Sequence, residues 1–260
     1  MKTKSLSIFL VALFVVEMNL GTEEDKKENK GGEDFKYKII SEDVSVSESD
    51  LCLKMILIGN SMVGKSALCE KICKNTFQKK YEKTVGFEFI TLHFNIVSDM
   101  NKPVLRCQIW DCCGQENYRA LITSFYNNAR VFLLAYDVTN VKSFEDIDVW
   151  LKTAKEKNDG EIEHFVLIGT KIDLNDDRKV TKEIAQKFAE EKGMKFVEVS
   201  AKTGDGIKEL EYILAKIIYE EFNKEKEKVE DVSKGDCIVV GKHTYSSSLC
   251  DCCKKICENC

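Results

Sequence analysis

Gly59-Asn60-Ser61-Met62-Val63-Gly64-Lys65-Ser66 is the stretch that decides the fold. It fits the pattern G-x-x-x-x-G-K-[ST], follows an apolar run at 54–58 and opens an amphipathic stretch at 66–74. A strand, a glycine-bearing loop and a helix in that order aim successive backbone N–H groups and a helix N-terminus at phosphate oxygens. Lys65 supplies a mobile positive charge for the outer phosphates, and the Ser66 hydroxyl is a hard oxygen ligand for Mg²⁺. A glycine-rich turn that binds nothing is the bland alternative, and the strand–loop–helix setting argues against it.

Outward from this loop, short apolar runs at 87–96, 104–110, 131–137, 165–169 and 195–199 alternate with helical patterns at 143–157, 181–192 and 207–222. With the run at 54–58 they make six strands. Strands alternating with helices predict an α/β fold of the phosphate-loop NTPase type: a mostly parallel six-stranded sheet with helices on both faces.

The loop alone does not choose between a kinase, an ATPase and a GTPase; the residues at other strand ends do. Thr84 lies eighteen residues after Ser66 and can close a polar connection over Mg²⁺ with its hydroxyl. Asp111-Cys112-Cys113-Gly114-Gln115 ends a strand, so the Asp111 carboxylate emerges beside the metal and the Gly114 amide can approach the terminal phosphate. Gln115 can orient an attacking water without taking its proton. Thr170-Lys171-Ile172-Asp173 ends another strand, and Ser200-Ala201-Lys202 follows the next. A carboxylate at Asp173 accepts two hydrogens from the N1 and N2 edge of guanine, where adenine offers an acceptor and a C–H; the buried mismatch selects guanine. The Lys171 stem can cover the base, the Ala201 amide can meet its carbonyl, and Phe77 either packs on its other face or belongs to the core.

The 260 residues carry a net charge of −5, 43% hydrophobic and 32% charged residues, and no basic block, which argues against nucleic acid as a partner. The −5 is concentrated at 22–50, where ten acids face five lysines, and this segment reads as a disordered linker. The body at 51–222 is nearly neutral, with 25 basic and 26 acidic residues. At 1–21, two lysines precede an apolar run too short for an ordinary membrane span. It has the length of a signal-peptide core, and a membrane anchor or a wrongly joined start remain open beside that. Residues 223–260 read as a flexible tail in which Cys250, Cys252, Cys253, Cys257 and Cys260 crowd the last eleven residues.

Together these residues resemble the Ras superfamily of small GTPases, and within it the Rab branch, over 51–222. Thr84-Val85-Gly86-Phe87-Glu88-Phe89, Gln108-Ile109-Trp110-Asp111, Phe125-Tyr126-Asn127-Asn128-Ala129 and Tyr136-Asp137-Val138-Thr139-Asn140 are the Rab-type stretches. The resemblance implies a GTP/GDP switch of the G-domain fold in vesicle-mediated traffic, using Mg²⁺ held by Ser66, Thr84 and Asp111, with Gln115 as its catalytic residue. It also implies an exchange factor, a GTPase-activating protein, effectors meeting Phe89, Trp110 and Tyr126, and prenyl-escort or GDI-type proteins. The three aromatics can equally be core.

Four departures from the family pattern stand out: Thr170 in place of Asn, Cys112 and Cys113 inside the second switch, Met62 in place of a small residue, and a long connection at 98–103. Met62 and the paired cysteines keep open a second reading, a guanine-nucleotide-binding module that no longer hydrolyses or switches. A phosphate-loop kinase lacks any acceptor-binding lid. In the tail, Cys257 and Cys260 are the lipidation sites the resemblance implies, attaching the protein to the cytosolic face of an endomembrane. The ending is not a CaaX box, and metal or redox chemistry competes because Cys250/Cys253 and Cys257/Cys260 form two CxxC pairs. A signal-like N-terminus would instead place the chain in a lumen or anchor it.

Overall fold

The computed structural model describes residues 35–40, 51–78, 87–112, 123–160 and 162–233, with side chains through 228. Seven strands form one sheet: β1 (Tyr37–Ile40), β2 (Leu51–Ile58), β3 (Phe87–Ile96), β4 (Val104–Cys112), β5 (Val131–Asp137), β6 (His164–Thr170) and β7 (Lys195–Val199), in the spatial order β1-β3-β4-β2-β5-β6-β7. The five strands from β4 through β7 pair in parallel, while β3 is antiparallel to both β4 and β1. All seven residues of β5 are buried, as an apolar run at the centre of a parallel sheet requires.

Helices cover both faces. On one, Leu53, Met55, Leu57, Leu105 and Ile109 pack with α1 (Lys65–Lys74) and with Leu210, Leu214 and Ile218 of a long helix at Ile207–Ser233. On the other, Ile56, Phe132, Leu134 and Tyr136 meet Ala185 and Ala189 of a helix at Lys182–Glu191 and Trp150, Leu151 and Ala154 of a helix at Ile147–Lys157. The helix read at 143–157 is two: α2 (Val141–Glu145) and α3 (Ile147–Lys157), meeting at Asp146. The other two helices among the described residues are α4 (Lys182–Glu191) and α5 (Ile207–Ser233).

Two expectations need correction. The seventh strand, β1, lies inside the segment read as a disordered linker at 22–50, with Tyr37 opposite Ile96 and Ile40 opposite His93. The cause is aromatic: Phe35 packs on Tyr212 and Tyr219 of α5 with centroids 5.7 and 5.5 Å apart, and Tyr37 packs edge-on against Phe94 at 5.7 Å. At the other end, α5 continues through 223–233, which had been assigned to the flexible tail. It is held there by Lys224 on Glu163 (2.9 Å) and Glu221 (2.8 Å), and by Arg130 on Glu225 (3.0 Å).

The connection at 97–103 is tied down as well: the Tyr219 hydroxyl donates to Asp99 Oδ2 at 2.9 Å. The apolar run at 1–21 and the terminal cysteines lie outside the described residues. Among the described residues, no helix is long and apolar enough to cross a membrane, and no three His, Cys, Asp or Glu side chains cluster as metal ligands.

Candidate functional site

The site forms at the C-terminal ends of the parallel strands, where open α/β sheets bind their ligands. Gly59 follows β2, Asp111 sits near the end of β4, Asp137 ends β5, Thr170 ends β6 and Ser200 follows β7. Only glycine fits at 59, because a Cβ there would collide with the Ala135 carbonyl oxygen.

The loop closes on its own lysine. Lys65 is 6% exposed, and its ammonium donates to the carbonyls of Gly59 and Asn60, both at 2.9 Å. Gly64, the residue before α1, is left-handed at φ 99, and no side chain caps the helix. A helix N-terminus without a side-chain cap suits an anion. Met62 takes a left-handed φ of 65 with its side chain 64% exposed, so it points into solvent. Ser61 is half-buried, and Val63 is buried with its carbonyl accepting from the Thr170 hydroxyl. The Asn60 side chain turns away from the loop: its amide donates to Asp146 Oδ2 at 2.7 Å and its carbonyl accepts from the Trp150 indole at 2.8 Å. That leaves the backbone of Asn60 as the part of the residue that faces the loop, in keeping with a phosphate cradle made of main-chain N–H groups.

Ser66 and Asp111 meet: the hydroxyl donates to Asp111 Oδ2 at 2.5 Å. Burial pushes the Asp111 carboxyl up to about 6, against the pull of the Ser66 hydroxyl and the Lys65 ammonium. Its other oxygen, Oδ1, is buried without a partner among the described residues. An orphaned carboxylate oxygen beside a serine hydroxyl is a donor set that fits a hard dication such as Mg²⁺.

Beside the loop opens a cleft of about 210 Å³, lined by Gly64, Ala67, Phe77, Lys171, Asp173, Leu174, Ala201 and Lys202 among others. Asp173 is fixed at its rim: the Ser200 hydroxyl donates to Oδ1 at 2.7 Å, and Lys202 Nζ lies 3.4 Å from Oδ2. Burial raises its pKa, but the Ser200 and Lys202 contacts outweigh that and leave it below the ordinary value. Asp173 thus stays an acceptor. Lys171, left-handed at φ 63, pins its ammonium on Asp137 Oδ2 at 2.6 Å, which lays its alkyl stem along the cleft. Phe77, 37% exposed, faces the cleft rather than the core. Thr170 offers its one proton to two carbonyls, Val63 at 2.5 Å and Tyr136 at 2.8 Å, so it braces the phosphate loop and has no second donor to give.

The aromatic surface differs from expectation. Phe89 is 52% exposed and stacks on Trp110 at 5.4 Å, but Trp110 is itself buried, and Tyr126 is fully buried, edge-on against Phe132. Its neighbour Phe125 is half-buried beside the exposed Phe87 and Phe89, 4.1 Å from Phe87 and 5.8 Å from Trp110. In a 3-10 turn at Thr123–Tyr126, adjacent side chains diverge, so one ring faces out and the next faces in. Cys112 is buried, and burial pushes the thiols of Cys69 and Cys107 up, so those two pack as neutral groups. Thr84, Cys113, Gly114 and Gln115 lie outside the described residues.

The sequence reading passed over Asp137, Asp146, Trp150 and Phe125. Asp137 had a usable signal, a carboxylate directly closing an apolar strand; the others act through contacts with distant residues.

A sequence model described as the Ras family matches residues 54–220. The chain belongs to that family, and its relatives make it Rab-like. It is 35% identical to the human Ras-related protein Rab-8B over 175 residues, 67% of this chain and 82% of that one. It is 35% identical to Ras-related protein RABA1c of Arabidopsis thaliana over 214 residues, covering 79% and 95%. Ras-related protein SEC4 of Saccharomyces cerevisiae is 33% identical over 204 residues, covering 78% and 92%.

Proposed function

We propose that the protein is a Mg²⁺-dependent GTPase that switches between GTP- and GDP-bound forms in vesicle-mediated membrane traffic. The observation that carries this reading is Asp173, held ionised at the rim of a cleft walled by Phe77 and the Lys171 stem and opening onto the phosphate loop. A fixed carboxylate there takes the paired donors of guanine and rejects adenine.

Ser66 and Asp111 would hold Mg²⁺, joined by Thr84, and the ion would neutralise charge on the outer phosphates of GTP. Lys65 shifts from the Gly59 and Asn60 carbonyls toward the same phosphates. Gln115 orients the attacking water. No arginine among the described residues reaches the phosphate loop, so hydrolysis is slow until a partner supplies the missing charge, by about 10³–10⁵ in such systems. The segments holding Thr84 and Gly114 share the γ-phosphate as a ligand, and its loss releases them. Exchange factors, GTPase-activating proteins, effectors and escort proteins are the partners this reading calls for. Phe87 and Phe89, backed by Phe125 and the buried Trp110, form the effector surface, and lipidated Cys257 and Cys260 hold the protein at the cytosolic face of an endomembrane.

Met62 favours one competing reading. A side chain forced into a left-handed position of the phosphate loop suits a nucleotide binder that has stopped switching. Protease protection in GDP and in a non-hydrolysable GTP analogue separates the two. Different protection, with single-turnover hydrolysis lost in Gln115→Leu, supports the switch; equal protection leaves a binder.

A further inference from the structure

Asn60 faces two ways. Its backbone carbonyl, with that of Gly59, holds the Lys65 ammonium at 2.9 Å, while its side chain is engaged at both ends on the far side of the loop. Asp146 Oδ2 accepts from its Nδ2 at 2.7 Å, and its Oδ1 accepts the Trp150 Nε1–H at 2.8 Å. The orientation of the amide is forced, because an indole N–H can only donate and an ionised carboxylate can only accept.

Both partners are themselves rigid. Trp150 is 1% exposed, within the core between the sheet and α3. Asp146 is the junction where α2 ends and α3 begins, and its carbonyl accepts the backbone N–H groups of Val149 (3.0 Å) and Trp150 (3.1 Å). The clamp groups are therefore locked to each other as well as to Asn60. The second Asp146 oxygen accepts from exposed Lys142 at 2.8 Å.

We infer that Asp146 and Trp150 are positioning residues for the phosphate site, acting through Asn60 to hold the loop and Lys65 in their phosphate-binding shape and so setting how long a nucleotide stays bound. This rests on the guanine-nucleotide reading above. A nucleotide leaves when loop amides and the lysine part from its phosphates, and a loop already fixed at its second residue keeps those donors aimed at no cost in ordering. Neither clamp residue touches the nucleotide cleft.

The test uses the full chain loaded with a fluorescent GDP analogue and chased with unlabelled GDP. Asn60→Asp sets two carboxylates against each other and should speed release by about tenfold or more. Adding Asp146→Asn exchanges donor and acceptor, and the second oxygen of the new carboxylate still accepts from Trp150. This double variant should return release to within about threefold of the unsubstituted protein. Trp150→Phe keeps a buried ring and removes only the N–H, and should speed release severalfold. A double variant no slower than Asn60→Asp, or Asn60→Asp and Trp150→Phe both releasing at the unsubstituted rate, overturns the clamp. If Asn60→Asp fails to fold, Trp150→Phe and the double variant still decide. Failure of the unsubstituted protein to retain GDP over ADP is a separate outcome, which removes the guanine reading and the clamp with it.

Discussion

At the base end of the nucleotide site the ionised side chains already have protein partners; at the phosphate end they are held by carbonyls or left over. Asp173 has Ser200 and Lys202, and Lys171 has Asp137, whose other oxygen accepts from Thr139. Lys65 rests on two backbone carbonyls, Asp111 Oδ1 is buried without a partner among the described residues, and α1 begins with no side-chain cap. The difference follows from the ligand. A neutral purine adds no charge, so its frame can be assembled beforehand, whereas phosphates and a dication bring charges that the other end must be ready to meet.

The largest effect that separates the two ends is expected from Asp173→Ala. It should weaken guanosine and GDP alike, by about 100-fold or more, because the guanine donors then face no acceptor. Lys65→Ala should weaken GDP strongly and leave guanosine within about twofold; titration calorimetry with both ligands reads the contrast. Equal losses for guanosine in the two variants would break the division between the ends.

The opposite end of the parallel strands, where β5 and β6 begin, supplies a reference, a charge cluster away from the nucleotide site. Burial alone would push the Glu221 carboxyl up, but His164, Lys224 and Arg130 outweigh it and hold it at about 2. Since its folded pKa lies below the ordinary 4.5, its stabilisation is complete above about pH 4.5 and is lost as pH falls toward 2. Glu221→Gln should cost about 2 kcal/mol in urea unfolding at pH 7, a gap that narrows below pH 4.5, with nucleotide affinity unaffected. The smallest effect belongs to Met62→Gly. Relief of a left-handed methionine should stabilise by up to about 1 kcal/mol, seen as a higher thermal midpoint.

What could be read from the sequence was what is contiguous in it. The phosphate loop, Asp111, and the Thr170 and Ser200 segments each announce their chemistry within a few residues, and the apolar runs locate the strands that carry them. Features made by distant contacts were not legible. Nothing near Asn60 signals that its amide is claimed by Asp146 and Trp150, some ninety residues along. Phe125 and Tyr126 are adjacent aromatics, and only the turn decides which stays half-buried and which is sealed in the core. β1 is four residues long among acids and lysines, and its pairing with β3 and its anchorage on α5 lie far along the chain.

That edge strand changes where the folded unit begins. Likeness to the family starts at residue 54, but the sheet starts at Tyr37, and Phe35 already belongs to the packing. A shortened protein cut to the family boundary would carry a raw β3 edge at His93–Ile96 and an uncovered aromatic face on α5, both invitations to self-association. Expression boundaries, tags and fusion joints on this protein belong ahead of Phe35.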